Sequence, residues 1–475
     1  LTLFVIVHKP LSLLAILRLG LFQACLGALA VIFAGLLNRV MLSELGYPGL
    51  LVGGALAFEQ FMAPSRVLFG QISDGYPLFG RRRVPYVLIG TLLFSGLAVL
   101  AVPLIFRVGR LLSAGSQPGL ALGIAALCGL FAAYGLAISL ATTPYLALVI
   151  DRTDEAERPR AVALVWCMLT VGIVVGAILT SLSLRSLDQV RDPAILEPVL
   201  TQFMLKVSLI VIALTLLATW NMETGSSHSG LAATSKTGNM DPGERRQEAI
   251  TLRQSWGLIT SSRQVLIFFA FLVAFTLGLF LQDPILESYG AQVFGLSISA
   301  STQLNAFWGV GTLVGLLLAG LLVVPRLGKL PTARLGCRLI VIALVLLILC
   351  GFSRSVPVLQ AVMVLFGLAA GIATNSALCL MLDLTLPQAA GAFVGVWGLA
   401  QALSRAIGKL LGGGLLDLGR HLPFGSGPFP AFALVLSVEA LVAVGALFLL
   451  ASLNVHEFRQ DTARSLERVL AMEMG

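Results

Sequence analysis

Charge is what this sequence has least of: only 11% of its 475 residues are Asp, Glu, Lys or Arg, against roughly a quarter in soluble domains. With 57% hydrophobic residues and a mean hydropathy of +0.95, its apolar surface exceeds what a water-soluble core can enclose. Metal-ligand spacing is missing too. The six cysteines, Cys25, Cys128, Cys167, Cys337, Cys350 and Cys379, lie in or beside apolar runs and read as small buried hydrophobes. None of the four histidines, His8, His228, His421 and His456, falls inside an apolar run. The chain has no P-loop, HExxH, GxSxG or Asp-rich prenyl-diphosphate motif, so an ATP-driven pump is excluded and neither a catalytic residue nor a metal ligand is assigned. Residues 1–7 are too short for a signal h-region, and no targeting peptide is expected.

What the sequence has instead is length in apolar runs. A spanning helix needs roughly 20 such residues, because its backbone must be satisfied within the segment. Runs of this kind lie at 20–40, 48–69, 86–106, 119–149, 161–184, 199–220, 264–282, 303–324, 337–353, 356–382, 392–416 and 429–453, the ninth being short. The 31 Lys and Arg against 23 Asp and Glu could suit nucleic acid. They sit in loops between runs rather than on one polar face, so they read as membrane orientation, and no nucleic-acid partner is expected. With both termini inside, twenty cations fall in cytoplasmic segments and seven, Arg39 among them, on the other face.

The longest polar stretch falls midway between six runs and six runs. The expected layout is therefore an N-terminal interfacial segment (1–19), a six-helix bundle (20–220), a cytoplasmic linker (221–263), a second six-helix bundle (264–453) and an amphipathic tail (454–475). The halves also repeat. Gly135 to Thr153 aligns without a gap on Gly367 to Thr385, pairing Ala141 with Ala373, Thr142 with Thr374, Asp151 with Asp383 and Thr153 with Thr385. Parallel six-helix repeats build the major facilitator fold, so the expected class is an all-α polytopic membrane protein of about twelve helices with both termini cytoplasmic.

After the second run comes GQISDGYPLFGRRRVPY, Gly70 to Tyr86. Gly70 permits close helix approach, Asp74 can pair with an Arg or cap a helix, and Arg81 to Arg83 suit an anionic leaflet. The segment resembles the major facilitator cytoplasmic motif, in which such a cluster latches the inward helix ends. Ten residues separate Gly70 from Gly80, a longer gap than the general motif has, and the second half keeps only Gly320, Arg326, Gly328 and Lys329, with Val324 in the acid's place. The wider string from Ala63 to Leu93 is similar to the PucC/LhaA family, the bacteriochlorophyll delivery branch of that superfamily, through Arg66, Gly70, Ser73, Asp74, Gly80, Arg82, Arg83, Pro85 and Tyr86. Stretches at the start, from Ser301 to Gly315 and from Leu380 to Arg405 look like its cyanobacterial, oxygenic members.

The resemblance implies a role in assembling chlorophyll or bacteriochlorophyll protein complexes in a thylakoid or other photosynthetic membrane. Light-harvesting or photosystem subunits, pigment-synthesis enzymes and membrane lipid would be the partners. Pigment, with carotenoid, would be the cofactor, held by Asn, Gln, Glu, a carbonyl or water rather than by intramembrane His. The expected latch is Arg66, Gly70, Ser73, Asp74, Gly80, Arg82, Arg83, Asp151 and Asp383. Intramembrane polar residues are costly and so are candidates for pigment or substrate contact: Asn38, Glu59, Gln60, Gln303, Asn305, Trp308, Thr374, Asn375, Gln401 and Arg405. A proton-coupled transporter of an amphipathic solute is the alternative, with Glu59 as coupling carboxylate. Glu439 reads as a minor interhelical partner.

Overall fold

The computed structural model describes residues 13–115, 117–153, 158–188, 192–223, 263–384, 390–422 and 427–454. Residues 1–12 of the expected interfacial segment, 224–262 of the linker and the tail from 455 onward lie outside the described residues. Every apolar run becomes helix. The elements are α1 (Leu13–Ala30, continuing through π-helical turns Val31–Leu37 and Val40–Glu44), α2 (Gly49–Phe61), α3 (Ser65–Gly75), α4 (Val84–Ala114), α5 (Gln117–Asp151), α6 (Arg158–Ser183) and α7 (Pro193–Thr219). There follow α8 (Arg263–Phe280), α9 (Leu286–Phe294), α10 (Ile298–Leu318, with a π-helical end Ala319–Val323), α11 (Val324–Leu327), α12 (Lys329–Ser353), α13 (Val356–Leu384), α14 (Ala390–His421) and α15 (Phe429–Ala451). Among the described residues, nine helices are long and apolar enough to cross a membrane.

The departures from the run pattern have local causes. The run at 48–69 is not one helix: α2 and α3 are separated by a turn at 62–64 that ends in Pro64. Proline has no N–H to donate and disfavours helical geometry in the residue before it. The run at 264–282 likewise ends at Phe280, and a turn over 281–285 containing Pro284 leads into α9. The short run at 337–353 gains a full N-terminal extension, since α12 starts at Lys329 and carries Arg334 and Arg338 on its first turns. Long cationic stems can lie along apolar surface while the charged ends reach a polar layer.

The chain divides into two compact units, one of Leu1–Ser226 with Leu286–Gly309, the other of Ser227–Ile285 with Val310–Gly475. In the first, α4 lies against α5 and α7, α1 against α6, and α2 against α5. In the second, α12 lies against α13 and α15, and α8 against α14 and α15. The sequence repeat has a packing counterpart within each unit. A Cβ at Gly90 of α4 would meet the Ala141 backbone nitrogen of α5 at 2.7 Å, and one at Gly336 of α12 would meet the Ala373 Cα of α13 at 2.7 Å. The aligned alanines are thus points of close approach in equivalent helix pairs, which the missing side chains of Gly90 and Gly336 allow.

Candidate functional site

Two polar centres are built within the first unit. The nearer to the motif is organised by Arg83, the residue just before α4. Its guanidinium reaches Asp74 Oδ1 at 2.5 Å and Asp151 Oδ2 at 3.0 Å, and donates to Ser73 Oγ at 2.9 Å. Ser73, fully buried, in turn donates to the Gly70 carbonyl at 2.9 Å. One cation so ties the ends of α3, α4 and α5. Burial lowers the Arg83 pKa, but the hydrogen bonds and charges of Asp151 and then Asp74 raise it further still, so the net direction is up. The fork of an arginine suits this, since it can serve several acceptors at once.

The first turn of α4 is capped by a residue that the motif does not contain. Glu223, four residues after the end of α7, accepts from the backbone N–H groups of Arg82 at 2.5 Å, Arg83 at 3.0 Å and Val84 at 2.8 Å. Helix N-termini leave such donors open and favour a negative charge. Of the other expected latch residues, Arg82 is engaged through its backbone while its side chain is exposed, Gly80 sits in a turn at φ 71°, and Arg66 lies on α3 within electrostatic reach of Glu59. Asp383 lies in the last turn of α13, and its side chain lies outside the described residues.

The second centre is built around two buried charges. Arg39, between the two π-helical turns and only 4% exposed, donates to Ser301 Oγ, to the Ser297 carbonyl and, at 3.0 Å, to the Leu296 carbonyl, and it pairs with Glu44 at 3.4 Å. Glu287 of α9, 2% exposed, accepts from Asn305 Nδ2 at 2.6 Å and from Thr302 Oγ1 at 3.2 Å, and attracts Arg39. Its carboxylate occupies the space that a side chain at Gly35 would need. Asp188 completes the surroundings, accepting from Ser299 N at 3.1 Å and Ser299 Oγ at 2.7 Å at the start of α10. Burial pushes the Asp188 carboxyl up, but the Ser299 and Ser297 hydrogen bonds and the Arg39 charge outweigh it and hold the group below the ordinary carboxylate value.

Of the expected contact residues, this centre gathers Asn305 alone. Asn38 is buried and donates to the Ala34 carbonyl of its own helix at 3.0 Å, and Gln60 donates to Glu59 at 3.3 Å. Glu59, Gln60, Gln303 and Trp308 are half-buried. In the second unit, Asn375 donates to the Leu316 carbonyl at 2.9 Å, bridging α13 and α10, while the neighbouring Thr374 is exposed. Arg405 and Gln401 are half-buried on α14, and the Arg405 guanidinium lies 4.1 Å over the Phe280 ring. Lys409 and Arg405 each attract Asp283 at the 281–285 turn, and Glu439 is fully buried beside Asp283. Arg39, Asp188, Glu223, Asp283 and Glu287 are the residues that run and motif reading passed over.

Solved structures share this fold. The chain aligns with a D-xylose–proton symporter at TM-score 0.69 and 14% identity, over 92% of this chain and 97% of that one. It aligns with an inward-facing bacterial homologue of the human lysosomal transporter Spinster at TM-score 0.62 and 14% identity, over 96% and 97%. The fold is therefore the major facilitator fold, in an all-α, multi-pass membrane protein. The PUCC protein family profile matches residues 36–458, and the chain belongs to that family. It is 32% identical over 450 residues to the "Bacteriochlorophyll synthase 44.5 kDa chain" of Rhodobacter capsulatus, covering 92% of this chain and 94% of that protein. It is 31% identical over 453 residues to an uncharacterized protein of the puhA-bchM intergenic region of R. capsulatus, covering 93% and 88%. It is 29% identical over 414 residues to Protein PucC of Rhodovulum sulfidophilum, covering 87% of each.

Proposed function

We propose that this chain is an assembly factor for chlorophyll or bacteriochlorophyll protein complexes. It binds nascent light-harvesting or photosystem subunits within a photosynthetic membrane and holds or hands over pigment as they assemble. The observation that carries this reading is membership of the PUCC family along nearly the whole chain, together with a relative named as a bacteriochlorophyll synthase chain. We further infer that its part is not catalytic, because the sequence lacks the aspartates with which a prenyltransferase holds Mg²⁺ and diphosphate. Pigment contact falls to Glu59, Gln60 and the other half-buried polar residues of the spans. Both termini and the Arg83 centre face the cytoplasm in this reading, following the loop cations.

A tagged chain purified in mild detergent tests it: co-purifying pigment with light-harvesting or photosystem polypeptides supports assembly, and a colourless monomer that catalyses proton-coupled uptake defeats it. The second reading, a proton-coupled transporter, is favoured by the fold shared with a proton symporter and by carboxylates inside the bundles. Glu59 separates the two. Coupling requires a carboxylate that gains and loses a proton, so Glu59→Gln should then abolish coupled flux. A contact residue keeps most of its hydrogen bonds as Gln, so pigment-protein yield should survive Glu59→Gln and fall with Glu59→Leu.

A further inference from the structure

The loop between α3 and α4 carries a small hairpin that neither the Arg83 centre nor the assembly reading uses. Leu78 and Arg81 exchange backbone hydrogen bonds, each of 2.9 Å, and the two residues between them are left-handed, Phe79 at φ 52° and Gly80 at φ 71°. Phenylalanine adopts that conformation only where the turn imposes it. The result lifts Phe79 to 93% exposure beside a cleft of about 330 Å³, walled by the α4 face of Leu88, Ile89 and Leu92 and closed at its polar end by Arg81. The extra residues between Gly70 and Gly80 make room for this hairpin.

The charges at the mouth of the cleft are not balanced among the described residues. Arg83 is taken up by Asp74 and Asp151, and Glu223 is spent on the α4 N-terminus. Arg81 and Arg82, both exposed, have no ion pair among the described residues. Arg81 therefore lines an apolar cleft at the start of a spanning helix, with the exposed Arg82 next to it in sequence and an exposed aromatic ring on the same cleft, which is where headgroups begin and where aromatic side chains settle in a bilayer.

We propose that this cleft is a binding site for an anionic phospholipid, with the phosphate at Arg81 and Arg82 and an acyl chain along Leu88, Ile89 and Leu92 beneath Phe79. Native mass spectrometry of the full chain, offered equal phosphatidylglycerol and phosphatidylcholine in detergent, tests it. The wild type should retain phosphatidylglycerol in preference by roughly 30-fold, about a factor of five for each arginine. Arg81→Gln with Arg82→Gln should bring the two lipids level, the corresponding pair of lysine substitutions should keep the preference, and Phe79→Ser should lower retention of both lipids. Arg338→Gln, far along the sequence on α12, serves as control and should change nothing. Equal retention by the wild type, or an unchanged preference in the double glutamine variant, would overturn the site. So would displacement of the lipid by millimolar inorganic phosphate, which would mean an anion site only, or capture of an acidic polypeptide in place of lipid that is lost in the same variant. If the glutamine pair does not give a monodisperse helical protein, Arg81→Gln alone and the lysine pair decide the matter.

Discussion

The Arg83 and Arg39 centres use the same chemistry in opposite surroundings. Arg83 works at a helix end with partners that are 63% and 49% exposed. Arg39 works where both it and Glu287 are almost wholly covered. At the helix end water screens each pair and can replace a lost partner, so the gain lies in tying three helices together. In the interior nothing replaces a lost partner, so the terminal guanidinium donors of Arg39 are matched by the protein itself while its Nε finds no acceptor. That is why Arg39 gathers two carbonyls, a hydroxyl and a carboxylate, whereas Arg82, one residue from Arg83, is left to solvent.

If this contrast is right, substitutions should rank by burial. The largest effect is expected from Glu287→Leu, which takes from the buried Arg39 the strongest of its opposing charges, leaving Glu44 and Asp188, and removes the acceptor of Asn305 and Thr302; it should cost about 3–5 kcal/mol, read as thermal unfolding in detergent. Glu287→Gln should cost much less, because the Asn305 and Thr302 contacts can be remade. Arg83→Ala should cost about 1–2 kcal/mol with its exposed partners, and Arg83→Lys should recover only part of that loss, because one ammonium cannot fork between two carboxylates. Equal losses at Arg83 and Glu287 would erase the distinction. Glu223→Ala should cost about 1 kcal/mol through the uncapped α4 start, visible as faster amide exchange at Arg82 to Val84. Asp188 gives a pH signature. Its carboxyl lies below the ordinary value in the folded chain, so its contribution is complete above the usual carboxylate range and is lost only as pH falls through the depressed value. Between pH 7 and 5 its contribution should therefore be constant and add no pH slope to stability, and Asp188→Asn should remove the acid-side loss. Arg82→Ala should be smallest, within about 0.5 kcal/mol, since only its backbone is used.

Each of the twelve apolar runs read from the sequence holds helix among the described residues, because a bilayer imposes length, and Ser73, Asp74 and Arg83 meet because a loop motif keeps its members close in sequence. The break between α2 and α3 is written in Pro64, yet the apolar run around it reads as continuous because hydropathy does not register a missing N–H; Pro284 and α9 lie beyond the run that ends at 282. The Arg39 centre was illegible for a different reason. Arg39 and Ser301 are 262 residues apart, and Glu287 falls in the gap between two runs, where an acid reads as loop. Arg39 itself was counted as a loop cation, whereas α1 with its π-helical turns runs on to Glu44 and buries it. Two signals were available: the acids Asp283 and Glu287 bracketing Pro284, and a glycine, Gly35, one helical turn before Arg39.

The π-helical turns of α1 give that buried arginine an unusual mounting. A π turn closes i→i+5 hydrogen bonds in place of the i→i+4 bonds of an α-helix, so it holds surplus residue within the coil. Rewinding Val31–Leu37 to α geometry while Leu13–Ala30 stayed seated on α6 would turn everything beyond it like a screw, by about 100° for each residue taken up. Arg39 would swing away from Ser301 and Leu296, and Gly35 would leave the one position where the Glu287 carboxylate fits against bare backbone. The far end of this helix is thus threaded rather than bolted, and a single slipped tooth would release its whole set of contacts together.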